Sequence, residues 1–240
     1  MSEAILTLEF DMILGTFIRR LNRFMALVDV EGKAACAHLP NSGRLMTALY
    51  PGVATYLRKF IDRPWRKSNY SMFAVQHDNV TVIVDAQFSN FLAKEAIKRN
   101  LFIDLAGYRV AGEGFKLSEN PSVRLDLMLE RETERYYVEV KSVTHVVDGI
   151  ALFPDAPTIR GRRHVLHLSS LANRGLKTGL IFSVQRPDAL IVKANKEIDP
   201  QFADILRVAV ARGVKIFTLK STFKPPRTIR LEPNKPPFAF

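Results

Sequence analysis

The chain is poor in cysteine: of its 240 residues only Cys36 carries a thiol. An internal disulfide framework and any cysteine-built zinc site are thereby excluded, and a reducing compartment is the expected setting. Long apolar runs are missing too; none approaches the roughly 20 residues that a membrane-spanning helix needs. The opening "MSEAILTLEFD" carries acids where a signal peptide has basic residues and then an apolar stretch. A cytoplasmic protein without a membrane span is expected. Acidic charge is scarce: 24 Asp and Glu stand against 35 Lys and Arg, giving a net charge of +11. Such a surplus must sit on the surface, because unpaired buried charge is prohibitively costly. It draws polyanions, chiefly nucleic acid or an anionic membrane, although a basic surface also serves plain solubility.

What is present suits a soluble globular protein, with 47 % hydrophobic and 25 % charged residues. Up to about residue 83 the sequence reads as all-β. "ILTLEF", "FMALVDV", "AACAHL", "GVATYLRKF" and "SMFAVQHD" are short apolar or alternating runs, separated by the turn-prone "EGK", "PNSGR", "YPG" and "DRPWRKSN". Five such strands predict a small closed barrel of the OB type, with room for one short helix in "SGRLMTALYPG". After "VTVIVDAQ" the period lengthens. "FSNFLAKEAIKRN" is helical, with Phe88, Phe91, Leu92 and Ala96 on one stripe and Ser89 as a cap. "TIRGRRHVLHLSSLANRG" predicts a second helix stopped at Gly175. "DPQFADILRVAVARG" predicts a third, with Asp199 as cap, Pro200 in its first turn and Gly213 past its end. Between them "TGLIFSVQ" reads as a buried parallel strand, "VKIFTL" as another strand, and the tail "KPPRTIRLEPNKPPFAF" as extended over the surface. The expected architecture is two domains of mixed α+β and α/β class: an OB-like barrel over 1–83 and a mixed sheet flanked by helices over 84–240.

"RLDLMLERETERYYVEVKSVT" raises a chemical question, because it reads as a hairpin that carries poor strand formers among its strand residues. Side chains alternate faces along a strand. Leu125, Leu127 and Leu129 then share one face, while Asp126, Glu139 and Lys141 share the other. A four-residue loop over 131–134 pairs 130 with 135 and 126 with 139, so the two acids face each other with Cβ atoms about 5 Å apart. A divalent cation, Mg²⁺ or Mn²⁺, would settle their repulsion, with the Val140 carbonyl as a further oxygen ligand. Lys141 can hold a water or stabilise developing negative charge beside it. Glu95, close to the apolar stripe of the first helix, is a candidate third carboxylate, and Gln185, ending an apolar strand, a candidate for orienting water or contacting phosphate. The same residues also suit a solvated polar hairpin face.

Two basic regions could meet a phosphate backbone. In the second helix Arg160, His164 and His167 recur at i, i+4 and i+7, with Arg163 adjacent, opposite Val165, Leu168 and Leu171. In the barrel "FIRRLNRF" interleaves Arg19, Arg20, Asn22 and Arg23 with Phe17 and Phe24, the mixture of cations and aromatics that binds single strands. "RKFIDRPWRK" adds Arg58, Lys59, Arg63, Trp65, Arg66 and Lys67. "HLPNSGR" offers His38, Asn41 and Arg44 around Gly43, a turn suited to presenting N–H groups to phosphate. Each piece also fits ordinary core packing or a solvated loop.

Asp126 followed by Glu139-Val140-Lys141 resembles the core of the PD-(D/E)xK nucleases. The ordered set "RLNRF", "AHLPNSGRL", "LAKEAI", "SVRLDLML", "YYVEVKSVT", "FPDAPTIRGRRH", "QRPDA" and "DPQFADILRVAVARGV" resembles the sugar fermentation stimulation protein A family across nearly the whole chain. That resemblance implies an OB-like N-terminal domain, a C-terminal domain similar to those nucleases, and DNA binding. It also implies a helix-turn-helix near the C-terminus, but "VKIFTL" is β-branched and apolar and reads as a strand. Three functions follow as expectations: a Mg²⁺- or Mn²⁺-dependent nuclease on DNA, a non-enzymatic DNA-binding regulator that keeps the nuclease fold as scaffold, or an RNA-binding or RNA-processing protein.

Overall fold

The computed structural model describes residues 4–60, 68–117 and 120–240. Its first strand, β1 (Ala4–Thr7), pairs antiparallel with a strand from the far end of the chain, Ala4 opposite Leu231. "ILTLEF" therefore belongs to the C-terminal sheet, and the barrel unit begins after it rather than at residue 1.

The barrel is made of β2 (Met12–Asn22), β3 (Met25–Val30), β4 (Lys33–His38), β5 (Ala54–Lys59) and β6 (Tyr70–His77), in the order β4-β3-β2-β5-β6. Parallel pairing of β4 with β6, Ala37 opposite Tyr70, closes it, and β7 (Val80–Ile83) continues the sheet beyond β6. The five-strand OB-like barrel is present, but one of its strands, β2, is the basic run "MILGTFIRRLN". Its Phe17 is buried in the barrel core with Val28, Leu39, Leu57 and Met72. At Gly15 a Cβ would lie 2.6 Å from the Asp29 carbonyl oxygen and 2.9 Å from Leu57, so only glycine lets β3 and β5 close on this strand. "SGRLMTALYPG" forms turns and no helix.

After α1 (Phe88–Lys98) and a single 3-10 turn (Ile103–Leu105) come β8 (Arg109–Leu117), β9 (Asn120–Arg131) and β10 (Glu134–Val143). Two short strands, β11 (Val146–Val147) and β12 (Ile150–Phe153), lead to α2 (Ile159–Asn173), β13 (Lys177–Val184), β14 (Ile191–Ala194), α3 (Pro200–Ala211), β15 (Lys215–Lys224), β16 (Thr228–Pro233) and β17 (Phe238–Ala239). The large sheet has the order β1-β16-β15-β13-β10-β9-β8, with β10, β13 and β15 mutually parallel; β11, β12, β14 and β17 form a small sheet. The tail is thus a sheet strand, with Ile229 and Leu231 fully buried, rather than a surface extension. The segment after α3 is β15, a strand and not a recognition helix.

Local chemistry sets the helix ends. Asp199 accepts the Phe202 N–H at 2.9 Å and Gly213 takes φ +101°, as the sequence predicts for α3. Gly175 likewise ends α2 at φ +81°. At α1 the N-cap position is Gln87, and Asp85, two residues before it, accepts from the Gln87 and Phe88 N–H groups, while Ser89 Oγ donates to the Ala86 carbonyl. The large sheet is covered on both faces. Leu127, Val138, Val140 and Ile181 pack under α1; Leu125, Tyr137, Leu180 and Phe182 pack under α2 and α3. Among the described residues no helix is long and apolar enough to cross a membrane.

Candidate active site

The hairpin β9–β10 turns on Glu132 and Thr133 alone, with Glu132 at φ +54°, so Arg131 pairs with Glu134. The loop is tighter than the expected four residues, yet the register is the expected one, Glu130 opposite Arg135. Pairing runs on to Leu127 opposite Val138, and there the strands part. The Val140 N–H donates to Asp126 Oδ2 at 2.9 Å instead of to a strand carbonyl. Leu125 packs into the core opposite the one that holds Leu127 and Leu129, so the simple alternation breaks at Asp126. The broken ladder is what lets a strand acid turn toward its neighbour's backbone.

Asp126 Oδ1 accepts from Asn90 Nδ2 in the first turns of α1, at 3.2 Å. Glu139 is 1 % exposed, on the sheet face beneath α2. Its Oε1 accepts from Lys141 Nζ at 2.5 Å and contacts His164 Nδ1. Its Oε2 is buried with no partner among the described residues. Arg160 Nε donates to His164 Nε2 at 3.4 Å, which leaves Nδ1 to carry the proton that faces Glu139. His164 is buried rather than part of a solvent-facing cationic stripe, because it shares the inward sector of α2 with Gly161, Val165 and Leu168.

The two acids are tuned in opposite directions. Burial, and then the Glu139 charge, push Asp126 up to about 6 against the opposing pull of Lys141 and the Val140 and Asn90 hydrogen bonds. Burial also pushes Glu139 upward, but Lys141 and His164 together outweigh it and hold that carboxyl below its ordinary value. Glu139 is therefore a fixed anion, and Asp126 an anion held at a cost.

Both acids and Lys141 open on a cleft of about 770 Å³ between the two domains. The C-terminal domain contributes Asn90, Asp126, Glu139, Lys141, Ser142 and Arg160; the barrel contributes Arg23, Phe24, Asn41 and Gly43. The walls are tied together. Leu45 N–H donates to Asp155 Oδ2 at 3.2 Å, Arg186 Nη1 to the Thr47 carbonyl at 2.6 Å, and Ile83 N–H to the Gln185 carbonyl at 3.2 Å.

Two expected site residues lie elsewhere. Glu95 is engaged on its own helix, 3.2 Å from Lys98 and 3.6 Å from Arg99, and does not line the cleft. Only the N-terminal end of α1 reaches the cleft, and Glu95 lies five residues past Asn90, about 7.5 Å further along the axis. Gln185 is fully buried at the junction of barrel and sheet, 3.5 Å from Ser183 Oγ, away from the cleft lining.

In the barrel, Asn41 accepts the Gly43 N–H at 2.8 Å and donates to the Val84 carbonyl at 3.0 Å. The Gly43 amide of its turn is thus taken by Asn41 and the Leu45 amide by Asp155 of the C-terminal domain, so neither is open to phosphate. Arg19, Arg44 and Arg163 are exposed but outside the cleft lining. Arg20 is half-buried; burial lowers its pKa against the pull of Asp155, and its Nε and Nη2 find no acceptor among the described residues. Asn22 Oδ1 accepts the Phe24 N–H at 2.9 Å, and His38 lies in the barrel ladder opposite Met25 and Ser71. Arg58 lies over the Phe10 and Phe60 rings, centroids 4.4 and 4.8 Å away. Arg63, Trp65, Arg66 and Lys67 lie outside the described residues. Asn90, Asp155 and the buried role of His164 went unseen in the sequence; "FSN" at a helix start was the one available signal, and it reads equally well as a cap.

Among the described residues no group of three or more His, Cys, Asp or Glu is arranged to hold a metal. Two carboxylates remain, and they suit Mg²⁺, which keeps several waters and is commonly held by one or two carboxylates together with substrate phosphate. The unpartnered Glu139 Oε2 beside the charge-strained Asp126 is the arrangement a small hard cation would satisfy.

Comparison with known proteins gives a consistent result. The sugar fermentation stimulation protein RE domain matches residues 87–227, and the SfsA N-terminal OB domain matches 18–84. A sugar fermentation stimulation protein homolog of Acetivibrio thermocellus is 37 % identical over 210 residues, 87 % of this chain and 88 % of that one. Another, from Moorella thermoacetica, is 35 % identical over 219 residues, covering 91 % and 93 %. The solved structure of Pyrococcus furiosus SfsA in complex with Ca²⁺ superposes with a TM-score of 0.86 at 27 % identity, over 93 % of this chain and 95 % of that one. The chain belongs to the sugar fermentation stimulation protein family.

Proposed function

We propose that the chain is a divalent-cation-dependent nuclease that acts on DNA in the cleft between its two domains. One observation carries the reading: a buried carboxylate oxygen without a partner among the described residues, Glu139 Oε2, lies beside a second acid and a lysine at the wall of an open, arginine-bearing cleft. Asp126 and Glu139 would hold the cation, which supplies a lowered water pKa and charge neutralisation at the phosphate. The solved relative complexed with Ca²⁺ supports a hard divalent ion in this family.

The chain's own residues then have separate tasks. His164 and Lys141 keep Glu139 ionised and fix its orientation. The Lys141 ammonium faces the cleft next to that carboxylate and is placed to orient a water and meet negative charge that develops on phosphate. Asn90 and the Val140 N–H hold Asp126 in place. Arg160 and Arg23, on opposite walls, flank the path of the backbone. Because burial and the Glu139 charge raise Asp126 to about 6 in the metal-free protein, affinity for the cation should rise with pH as that carboxyl gives up its proton.

The test is cleavage of single-stranded, duplex and branched DNA with Mg²⁺ or Mn²⁺. The expected result is cation-dependent cleavage that falls at least about a thousandfold in Asp126→Ala. Intact DNA on all three substrates overturns the reading. A second reading, a non-enzymatic DNA-binding regulator, is favoured by the placement of Glu95, which leaves two acids where three were expected. It requires DNA affinity that Asp126→Asn and metal removal leave unchanged.

A further inference from the structure

The cleft has an apolar feature that holding a phosphate backbone does not use. Of the large apolar side chains that are exposed among the described residues, two line it: Phe24 at 48 % and Ile159 at 64 %. Phe24 is an aromatic ring at the tip of the β2–β3 turn, on the barrel wall that faces Asp126, Glu139 and Lys141. Its backbone is clamped on both sides: the N–H donates to Asn22 Oδ1 at 2.9 Å, and the carbonyl accepts from Leu39 N–H at 2.8 Å. The Arg23 guanidinium lies 5.9 Å from its ring centroid. An exposed ring held on a rigid turn loses little entropy when a flat partner covers it, and the neighbouring cation favours a partner that carries phosphate.

The chemistry of that partner follows. In an intact duplex the faces of the bases are covered by their neighbours in the stack, and only a nucleotide that is unpaired or displaced offers a face to a ring. We infer that Phe24, backed by Arg23, is a stacking platform that seats an unpaired nucleotide in the cleft, so that the substrate segment at the acids is single-stranded DNA and not an intact duplex. The inference rests on the nuclease reading of this cleft and adds a substrate class and a specificity-determining residue to it.

The test compares binding of the full chain to a fluorescently labelled single-stranded oligonucleotide and to the duplex of the same sequence, by anisotropy in EDTA so that no strand is cut. Phe24→Ala should lose about fivefold to a hundredfold in affinity for the single strand and less than about twofold for the duplex. Phe24→Trp, which keeps a π-face, should stay within about threefold of the wild type on the single strand. Unchanged single-strand affinity in Phe24→Ala, or an equal loss on both substrates, overturns the platform. If Mg²⁺-dependent cleavage is lost in Asp126→Ala while Phe24→Ala binds the single strand normally, the nuclease reading stands and the platform falls. If Phe24→Ala weakens single-strand binding selectively but no DNA is cut, the platform stands and the nuclease reading falls. Phe24 is half-exposed, so its variants should unfold at the wild-type midpoint, which a thermal melt checks.

Discussion

The two walls of the cleft are built on opposite principles. On the C-terminal wall Glu139 is buried and bonded to Lys141 and His164, and Asp126 is bonded to Asn90 and the Val140 N–H. On the barrel wall the Arg23 and Phe24 side chains are exposed, and Phe24 is tied through its backbone to Asn22 and Leu39. The first wall stores electrostatic strain that a bound ion would relieve; the second offers surface that a ligand would cover. The contrast teaches where substitutions should act: on folding and chemistry at the first wall, on affinity at the second.

The sharpest way to break the comparison is to remove one partner of the buried acid. His164→Phe keeps the bulk of the ring but leaves Glu139 with Lys141 alone. Removing the neutral imidazole's N–H leaves a buried carboxylate short of a donor, and the expected loss is about 2–3 kcal/mol of unfolding free energy. Arg23→Gln on the opposite wall should change it by less than about 0.5 kcal/mol. Chemical denaturation of both variants at neutral pH reads the difference, and equal effects would erase the distinction between the walls.

The next effect has the opposite sign. Asp126 is raised from 3.8 to about 6, so the folded state binds a proton more tightly than the unfolded state does. Its contribution to stability is therefore fullest at low pH and is lost as pH climbs from about 4 through 6, where the buried carboxyl must ionise. Asp126→Asn removes that cost. The variant's Nδ2 cannot accept the bond that Val140 N–H or Asn90 gives, which offsets part of the gain, but its stability relative to the wild type should rise by about 2 kcal/mol between pH 4 and pH 7. Unfolding free energies across pH 4–8 test this. Added Mg²⁺ should stabilise the wild type by mass action and leave the Asn variant unmoved.

The hairpin register was legible in the sequence because strand alternation and a short turn leave few alternatives, and Glu130 does oppose Arg135. The closing contact was not legible. Alternation predicts a clean ladder to Asp126, whereas the acid takes the Val140 N–H itself and the strand breaks its alternation there. The helices read well where caps announce them, as at Asp199 and Gly213. Glu95 was misplaced because helical periodicity assigns a face and not a distance along the axis, and only the start of α1 reaches the cleft. His164 was misread because a basic run looks solvent-facing until a buried carboxylate is known to lie beneath it. The barrel misled twice over. β2 hid behind its arginines, and "ILTLEF" carried every local mark of a barrel strand, although its partner, β16, lies more than two hundred residues away. Pairing at that separation leaves no trace in local propensity.

The smallest expected effect concerns the exposed wall alone. Each phosphate that a cation neutralises on single-stranded DNA releases counterions and adds about 0.7 to the slope of log affinity against log salt. Arg23 and Arg160 line the cleft, whereas Arg44 and Arg163 are equally basic but lie outside it. Arg23→Gln should therefore lower the magnitude of that slope by about 0.7 and weaken binding by less than about tenfold at moderate salt. Arg163→Gln should change neither quantity beyond error, because its charge meets bulk solvent and is screened within about 10 Å. Titrations of both variants against one single-stranded oligonucleotide at several salt concentrations separate the two positions. Equal slopes for Arg23→Gln and Arg163→Gln would mean that DNA follows the general positive field of the protein, and that the cleft has no privileged part in holding it.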